Sequence, residues 1–129
     1  MEGPIRELAR ELDAPVKFAG AVTDLDARLA SARAVVMLSH FEGVPFSIEE
    51  AMWMGKPVIV SRCPGIQWLA GDTAIYADTV DETTEAMWRL LDFETARDFG
   101  KRAEKRVRSR LDIDDPWPRL YELYSKEMT

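Results

Sequence analysis

Short apolar runs alternate with helical patterns along most of this chain, and this alternation constrains its fold more than any other feature. The runs have the length of strands, and the segments between them carry apolar residues at helical spacing. Strands and helices that alternate through short loops form a parallel sheet with helices on both faces. We predict strands at residues 16–19, 34–39, 57–61 and 73–77, and helices at residues 5–12, 24–32, 47–55, 81–91, 94–111 and from Asp115 onward.

Three segments carry more specific predictions. Residues 34–39 are too uniformly apolar to alternate, so this strand is predicted to be buried on both faces. In the first helix, Ile5, Leu8 and Leu12 share one apolar stripe. Residues 65–71 are predicted to form a loop or a single helical turn.

The length of 129 residues indicates one domain, residues 1–129. Four strands are few for a doubly wound sheet, and the chain opens on a helix rather than on a first strand. We therefore expect an α/β fold with a partial Rossmann-like parallel sheet, helices on both of its faces, and a missing upstream part.

Composition excludes several classes of function. A net charge of −6 argues against a general nucleic-acid binder, because such proteins neutralise phosphates with Lys and Arg. One cysteine and one histidine exclude an internal disulfide and argue against a metal site. No apolar run reaches the ~20 residues of a membrane helix, and the N-terminus lacks the features of a signal peptide. We predict a cytoplasmic protein that uses no cofactor and no metal.

Residues 94–110 depart from the acidic average. They hold seven Lys or Arg against three Asp or Glu, which is a local excess of +4. A solvated helix face with ion pairs four residues apart explains this pattern, and so does contact with an anionic membrane surface or acceptor.

Two carboxylates lie where the strand at 34–39 runs into the helix at 47–55. Glu42 and Gly43 form a predicted turn after the strand, and Glu50 follows after seven intervening residues. Open α/β sheets bind ligands at the carboxyl ends of their strands. Two carboxylates and a glycine at this position suggest a ligand with several hydroxyl groups.

Each of these residues also has a structural interpretation. Ser47 and Glu50 have the spacing of a capping box, although a carboxylate there can equally accept hydrogen bonds from a ribose diol. Glu42 is either an exposed loop residue or a ligand contact. Gly43 permits a positive φ or a close backbone approach, and free amides ahead of the helix suit a diphosphate. His40 is assigned no catalytic role.

The segment resembles the retaining nucleotide-sugar glycosyltransferases of the GT-B architecture, and more narrowly the glycosyl transferases of group 1, or family 4. Its signature is a Ser, then Glu-Gly, then Glu-Ala-Met, then Gly-x-Pro-Val. Here it reads Ser39, Glu42-Gly43, Glu50-Ala51-Met52 and Gly55-Lys56-Pro57-Val58. The resemblance covers nearly the whole chain and identifies it with the donor-binding C-terminal lobe.

The resemblance implies a donor and a reaction. A glycosyl unit would pass from a nucleotide diphosphate sugar to an acceptor hydroxyl with retention, and the leaving phosphate would take the acceptor proton. The resemblance also assigns residues: Glu42 as the catalytic contact to the sugar, Gly43, Val44, Pro45 and Phe46 to the sugar and diphosphate, Glu50 to the ribose, and Val22 as a possible contact to the base.

The chain also departs from the family. Trp68 stands where a Glu is common, and Pro64-Gly65 replaces a doubled glycine. The acceptor-binding lobe and the basic residues that neutralise the diphosphate are not in this sequence. We therefore expect that the chain alone is inactive, that a terminal helix at 112–129 would pack toward the missing lobe, and that the chain self-associates through an exposed sheet edge or through this terminal helix.

Two other functions remain open from the sequence. A nucleotide-sugar epimerase shares the architecture, but it needs catalytic carboxylates and a His in places that this sequence does not supply. A non-catalytic α/β interaction module would retain the motif for capping and packing. The base, the sugar and the acceptor are not specified by the sequence.

Overall fold

The computed structural model describes residues 2–111, so the predicted helix at 112–129 lies outside the described residues. Three short parallel strands lie in the order β1-β2-β3. Among the described residues, no helix combines the length and the apolar character that crossing a bilayer requires. The elements are α1 (Glu2–Glu11), α2 (Leu25–Ser31), β1 (Val35–Met37), α3 (Phe46–Trp53), β2 (Val58–Val60), α4 (Pro64–Ala70), β3 (Ile75–Tyr76), α5 (Val80–Arg89) and α6 (Phe93–Leu111), with a single 3-10 turn at Gly71–Thr73.

The central strand β2 is covered on both faces. Val35 of β1 pairs with Val58, and Ile59 pairs with Ile75 of β3. Val58 and Val60 point into a core shared with α3, α4 and the second half of α6, whereas Ile59 points into a second core with α5 and the first half of α6. The α/β class and the Rossmann-like parallel sheet predicted from the sequence are therefore confirmed.

The predicted strand at residues 16–19 is wrong, and the described sheet has three strands rather than four. The amide of Val16 donates to the carbonyl of Ala14 at 2.7 Å, so a tight local turn uses the group that a ladder would need. The only described strand partner of β1 is β2, which leaves residues 16–19 without a neighbouring strand. A strand forms only where its amides and carbonyls find a partner.

Two further expectations need correction. The strand at 34–39 is not buried on both faces, because Val36 and Leu38 are exposed. Residues 65–71 are neither a loop nor a single turn, because α4 makes about two turns, with Pro64 at its first position. Ile5 and Leu8 lie on one face of α1, and Leu12 directly follows the helix with its amide bonded to the carbonyl of Leu8 at 3.0 Å, but all three side chains are exposed.

Helix α3 packs against α6 through two glycines. Gly55 follows α3 at φ +66°, the left-handed conformation that ends helices at glycine, as the sequence predicted. A Cβ atom at Gly100 of α6 would lie 2.0 Å from the carbonyl oxygen of Gly55. Only a glycine at residue 100 permits this close crossing.

Gly100→Ala is expected to lower the free energy of unfolding by about 1–3 kcal/mol, because a methyl group forced against the backbone displaces one helix. This cost outweighs the gain of up to ~1 kcal/mol that Ala brings to a helix. Urea unfolding measures the difference. The matched control is Gly3→Ala in α1, where a Cβ atom meets nothing within 4 Å. Equal stability of both variants would contradict the packing described here.

Candidate functional site

An open cleft of about 390 Å³ lies at the carboxyl ends of all three strands. Its walls come from the residues that follow β1, β2 and β3. This is the edge at which parallel sheets bind ligands. The lining residues are Leu38, Ser39, His40, Ser61, Arg62, Cys63, Ala77 and Asp78.

A second cleft, of about 320 Å³, lies at the opposite end of the sheet. Two of its cations are engaged by main-chain carbonyls. Lys56 donates to the carbonyl of Ala30 at 2.6 Å, and Arg33 donates to that of Leu91 at 3.1 Å. The first cleft adjoins the Glu42 segment, and we therefore place the candidate site there.

Glu42 is half-buried in the loop after β1, and one of its carboxylate oxygens is held in place. The hydroxyl of Ser39 donates to Oε1 of Glu42 at 2.9 Å. Among residues 2–111, Oε2 of Glu42 has no hydrogen-bond partner. The carboxylate is thus oriented through one oxygen, and the other is available to a ligand.

The main chain of Ser39 is in turn fixed by two side chains that follow β2. The Ser61 hydroxyl accepts from the Ser39 amide at 2.9 Å and donates to the Ser39 carbonyl at 2.6 Å. The buried thiol of Cys63 donates to the same carbonyl at 2.7 Å. Hydroxyl and thiol thereby connect β2 to the loop that carries Glu42.

The Glu42–Gly43 peptide lies directly against the start of α4. A Cβ atom at Gly65 would lie 1.5 Å from the carbonyl oxygen of Gly43 and 2.7 Å from that of Glu42. Gly43 itself is not among the described glycines with a positive φ. Of the two roles open to this glycine, the structure supports close backbone approach, with α4 as the neighbouring segment.

The capping-box interpretation of Ser47 and Glu50 is wrong. Helix α3 begins at Phe46, its N-cap is Pro45, and no side chain caps it. Ser47 therefore lies within the first turn, where its hydroxyl is past the capping position. The hydrogen bonds found among residues 2–111 include none from the amides of Gly43, Val44, Phe46 or Ser47.

The predicted site residues all lie along one loop and helix, except for Val22. Gly43, Val44 and Phe46 are exposed, whereas Pro45 is buried. Glu50 is exposed on α3, on the side opposite the buried Ile48 and Met52. Val22 is half-buried in the loop before α2, and its contact with a base stays a prediction, as do the roles of the other site residues.

One charged cluster at the site was not predicted from the sequence. Arg62, just after β2, pairs with Asp78 at 2.5 Å and lies 3.6 Å from Glu82 of α5. Thr79 and Glu82 form a capping box at the start of α5. The Thr-x-x-Glu pattern could have been read from the sequence. The pairing with Arg62 could not, because it joins residues 16 positions apart.

Hydrogen bonds in this cluster lower two pKa values. The Arg62 amide, and then its guanidinium, hold the pKa of Asp78 below its ordinary value. The amide of Asp78 is the main cause of the lowered pKa of Glu82. A carboxyl group with a depressed pKa stabilises the fold above its unfolded pKa, and this stabilisation is lost as pH falls through the folded pKa.

Arg62→Gln is expected to raise the pKa of Asp78 part of the way to its ordinary value, since the residue-62 amide still donates. The variant should lose less stability than the parent as the pH falls below about 4. Carboxyl carbon NMR titration measures the pKa. Asp92, whose pKa is lowered by the Thr95 amide, is the internal control and should not change. An unchanged pKa at Asp78 would contradict this prediction.

The chain matches a family model and several known proteins. The model of the family described as glycosyl transferases group 1 matches residues 2–92. A trehalose synthase of Rubrobacter xylanophilus is 38% identical over 89 residues, which are 67% of this chain and 21% of that protein. A trehalose synthase of Pyrococcus horikoshii is 33% identical over 82 residues, 61% of this chain and 20% of that protein.

A third relative extends the match over nearly the whole chain. The trehalose synthase of Thermococcus litoralis is 28% identical over 130 aligned positions, which cover 95% of this chain and 31% of that protein. The chain thus spans about a fifth to a third of the length of the curated relatives it matches. Because the family model covers more than half of its residues, the chain belongs to the glycosyl transferases of group 1.

Proposed function

We propose that this chain binds the nucleoside diphosphate sugar donor of a retaining glycosyltransferase through residues 39–50. One observation carries the proposal. The carboxylate of Glu42, oriented by Ser39 at the carboxyl end of β1, lies beside a run of amides that are not bonded to the described residues. A fixed acceptor next to free donors suits a sugar attached to a phosphate.

Each proposed contact follows from the chemistry of its group. Glu42 accepts hydrogen bonds from sugar hydroxyls, and the amides of Gly43, Val44 and Phe46 donate to the sugar and diphosphate. Pro45 has no amide hydrogen and instead shapes the loop. Glu50, free of any capping role, accepts hydrogen bonds from the ribose hydroxyls. Val22 is the proposed contact to the base.

Transfer with retention requires little covalent chemistry from the protein. The leaving phosphate takes the acceptor proton, so positioning and electrostatics account for most of the rate. The leaving group also needs a counter-charge. Arg62, which lines the cleft, is already paired with Asp78 and lies within 3.6 Å of Glu82. We therefore propose that the 129-residue chain binds the donor weakly and does not transfer the sugar.

Saturation-transfer NMR with UDP-glucose, ADP-glucose and GDP-mannose tests this proposal. At least one nucleotide sugar should receive saturation from the protein, and its own nucleoside diphosphate should compete with it. A parallel assay for sugar transfer or donor hydrolysis should detect no product. Absence of binding for every donor would favour the non-catalytic interaction module, and epimerised product would favour the epimerase.

The basic excess of residues 94–110 is largely engaged within the fold. Arg102 pairs with Asp98 at 3.0 Å, and Arg108 pairs with Glu104 at 2.9 Å. Arg106 donates to the carbonyls of α4. These contacts favour the solvated and packed helix face over contact with a membrane, which stays a proposal for a longer protein. The cytoplasm, predicted from the single cysteine, is the proposed location.

We also propose that two copies associate through the exposed stripe of α1. Ile5, Leu8 and Leu12 are all exposed, and association would remove this apolar surface from water. Sedimentation should show a dimer that grows with concentration. Leu8→Lys should remove it, whereas Glu7→Gln, with the same change in net charge beside the stripe, should not. A strictly monomeric parent at high concentration would contradict the proposal.

A further inference from the structure

We propose that Ser61 is a positioning residue for the donor sugar, acting on Glu42 through Ser39. The inference rests on the proposed donor site and adds a residue that the signature motif does not contain. Ser61 directly follows β2, at the point where the sheet ends, and its side chain is buried. It does not belong to the loop that would contact the donor.

The Ser61 hydroxyl extends the pairing of β1 with β2 beyond the last main-chain bond. That bond joins the Ser61 amide to the carbonyl of Met37 at 3.3 Å. Farther along, the Ser61 hydroxyl bonds both main-chain groups of Ser39, at 2.9 Å to the amide and 2.6 Å to the carbonyl. A single hydroxyl can accept one bond and donate one, so both contacts can exist together.

This contact holds the main chain from which the Ser39 side chain extends toward Glu42. With its amide and carbonyl fixed, Ser39 keeps its own hydroxyl 2.9 Å from Oε1 of Glu42. The chain of bonds therefore runs from the buried core through Ser61 and Ser39 to the carboxylate. A carboxylate that is already held in one orientation loses less conformational entropy when a sugar binds.

Removal of the Ser61 hydroxyl affects one group of Ser39 more than the other. The Ser39 carbonyl keeps the thiol of Cys63 as a donor at 2.7 Å. Among the described residues, the Ser39 amide has only the Ser61 hydroxyl as its acceptor. In Ser61→Ala the amide of Ser39 should therefore exchange its hydrogen faster, which hydrogen-exchange NMR detects without any ligand.

The affinities of Ser61→Ala for two ligands distinguish a positioning role of Ser61 from a purely structural one. Glu42 is proposed to contact the sugar, whereas the nucleotide is held by Glu50 and the loop amides. Ser61→Ala should therefore weaken the binding of the nucleotide sugar about three- to tenfold, which corresponds to the loss of one hydrogen bond. The affinity for the matching nucleoside diphosphate should not change. The ligands are the tightest of UDP-glucose, ADP-glucose and GDP-mannose, and the matching UDP, ADP or GDP.

The matched control removes another buried hydroxyl. The Thr73 hydroxyl donates to the carbonyl of Ala70 at 2.7 Å, and Thr73 is not among the residues that line the cleft. Thr73→Val should therefore leave the affinity for both ligands unchanged. The double variant Ser39→Ala with Ser61→Ala should bind no more weakly than Ser39→Ala alone, because both residues act through one path.

Each outcome has a distinct meaning. Selective loss of sugar-nucleotide affinity, with fast exchange at the Ser39 amide, supports the inference. Equal weakening of both ligands, or no change in either, overturns the role of Ser61 and leaves the donor site intact. A parent protein that binds none of these ligands overturns the proposed function itself, and the inference fails with it.

Discussion

Gly65→Ala is expected to destabilise the fold by about 3 kcal/mol and to abolish donor binding. A Cβ atom at this position would lie 1.5 Å from the carbonyl oxygen of Gly43 and 2.3 Å from its carbonyl carbon. Both atoms belong to the backbone, so no side-chain rotation relieves the overlap. The Glu42–Gly43 peptide must move away from α4, which takes the carboxylate out of its orientation.

Urea unfolding and saturation-transfer NMR measure the two effects of Gly65→Ala. The control for stability is Gly43→Ala, on the other side of the same contact. A Cβ atom at Gly43 meets nothing within 4 Å, and its φ lies outside the left-handed region. If Gly65→Ala were as stable as Gly43→Ala, the close contact between the loop and α4 would be incorrect.

Glu42→Gln is expected to weaken the binding of a nucleotide sugar about ten- to a hundredfold, the loss typical of a hydrogen bond to a charged group. Affinity for the nucleoside diphosphate should not change, because the proposed partner of Glu42 is the sugar. Glu50→Gln should weaken both ligands, since both contain the ribose. Calorimetric titration of each variant with each ligand measures these differences.

Glu49→Gln is the matched control on the same helix. Glu49 is the neighbour of Glu50, carries the same charge and is half-buried, whereas Glu50 is exposed. Its loss should leave both affinities unchanged. Equal weakening by Glu49→Gln and Glu50→Gln would mean that net charge governs binding, and the specific assignments to Glu42 and Glu50 would fail.

The sequence predicted most elements because their patterns are local. Helices α5 and α6 and strand β2 appear close to their predicted positions. The predicted strand at residues 16–19 failed because strand formation depends on a neighbour, which sequence periodicity does not reveal. The cap of α3 failed for a different reason. Pro45 sets the entry of the chain, so α3 begins two residues earlier than the Ser47 cap required.

At the candidate site, too, residues close together in the sequence could be predicted, whereas contacts between distant residues could not. Glu42, Gly43 and Glu50 could be identified as candidates because they lie close together in the sequence. The distant residues that support the Glu42 loop could not be identified in this way. Ser61 is 22 positions from Ser39, and Gly65 meets Gly43 only because α4 begins beside the loop. Such supporting contacts arise from the parallel order of β1 and β2, not from any local motif.

The most direct test of the central claim is an amide NMR titration of the isotope-labelled 129-residue chain with UDP-glucose, ADP-glucose and GDP-mannose. With at least one donor, the amides of Gly43, Val44, Phe46 and Glu50 should shift and saturate together. The chemical shifts of the α1 amides, which are distant in sequence from the residues of the cleft, should not change. If no donor produces saturable shifts in residues 39–50, the donor-site account is contradicted.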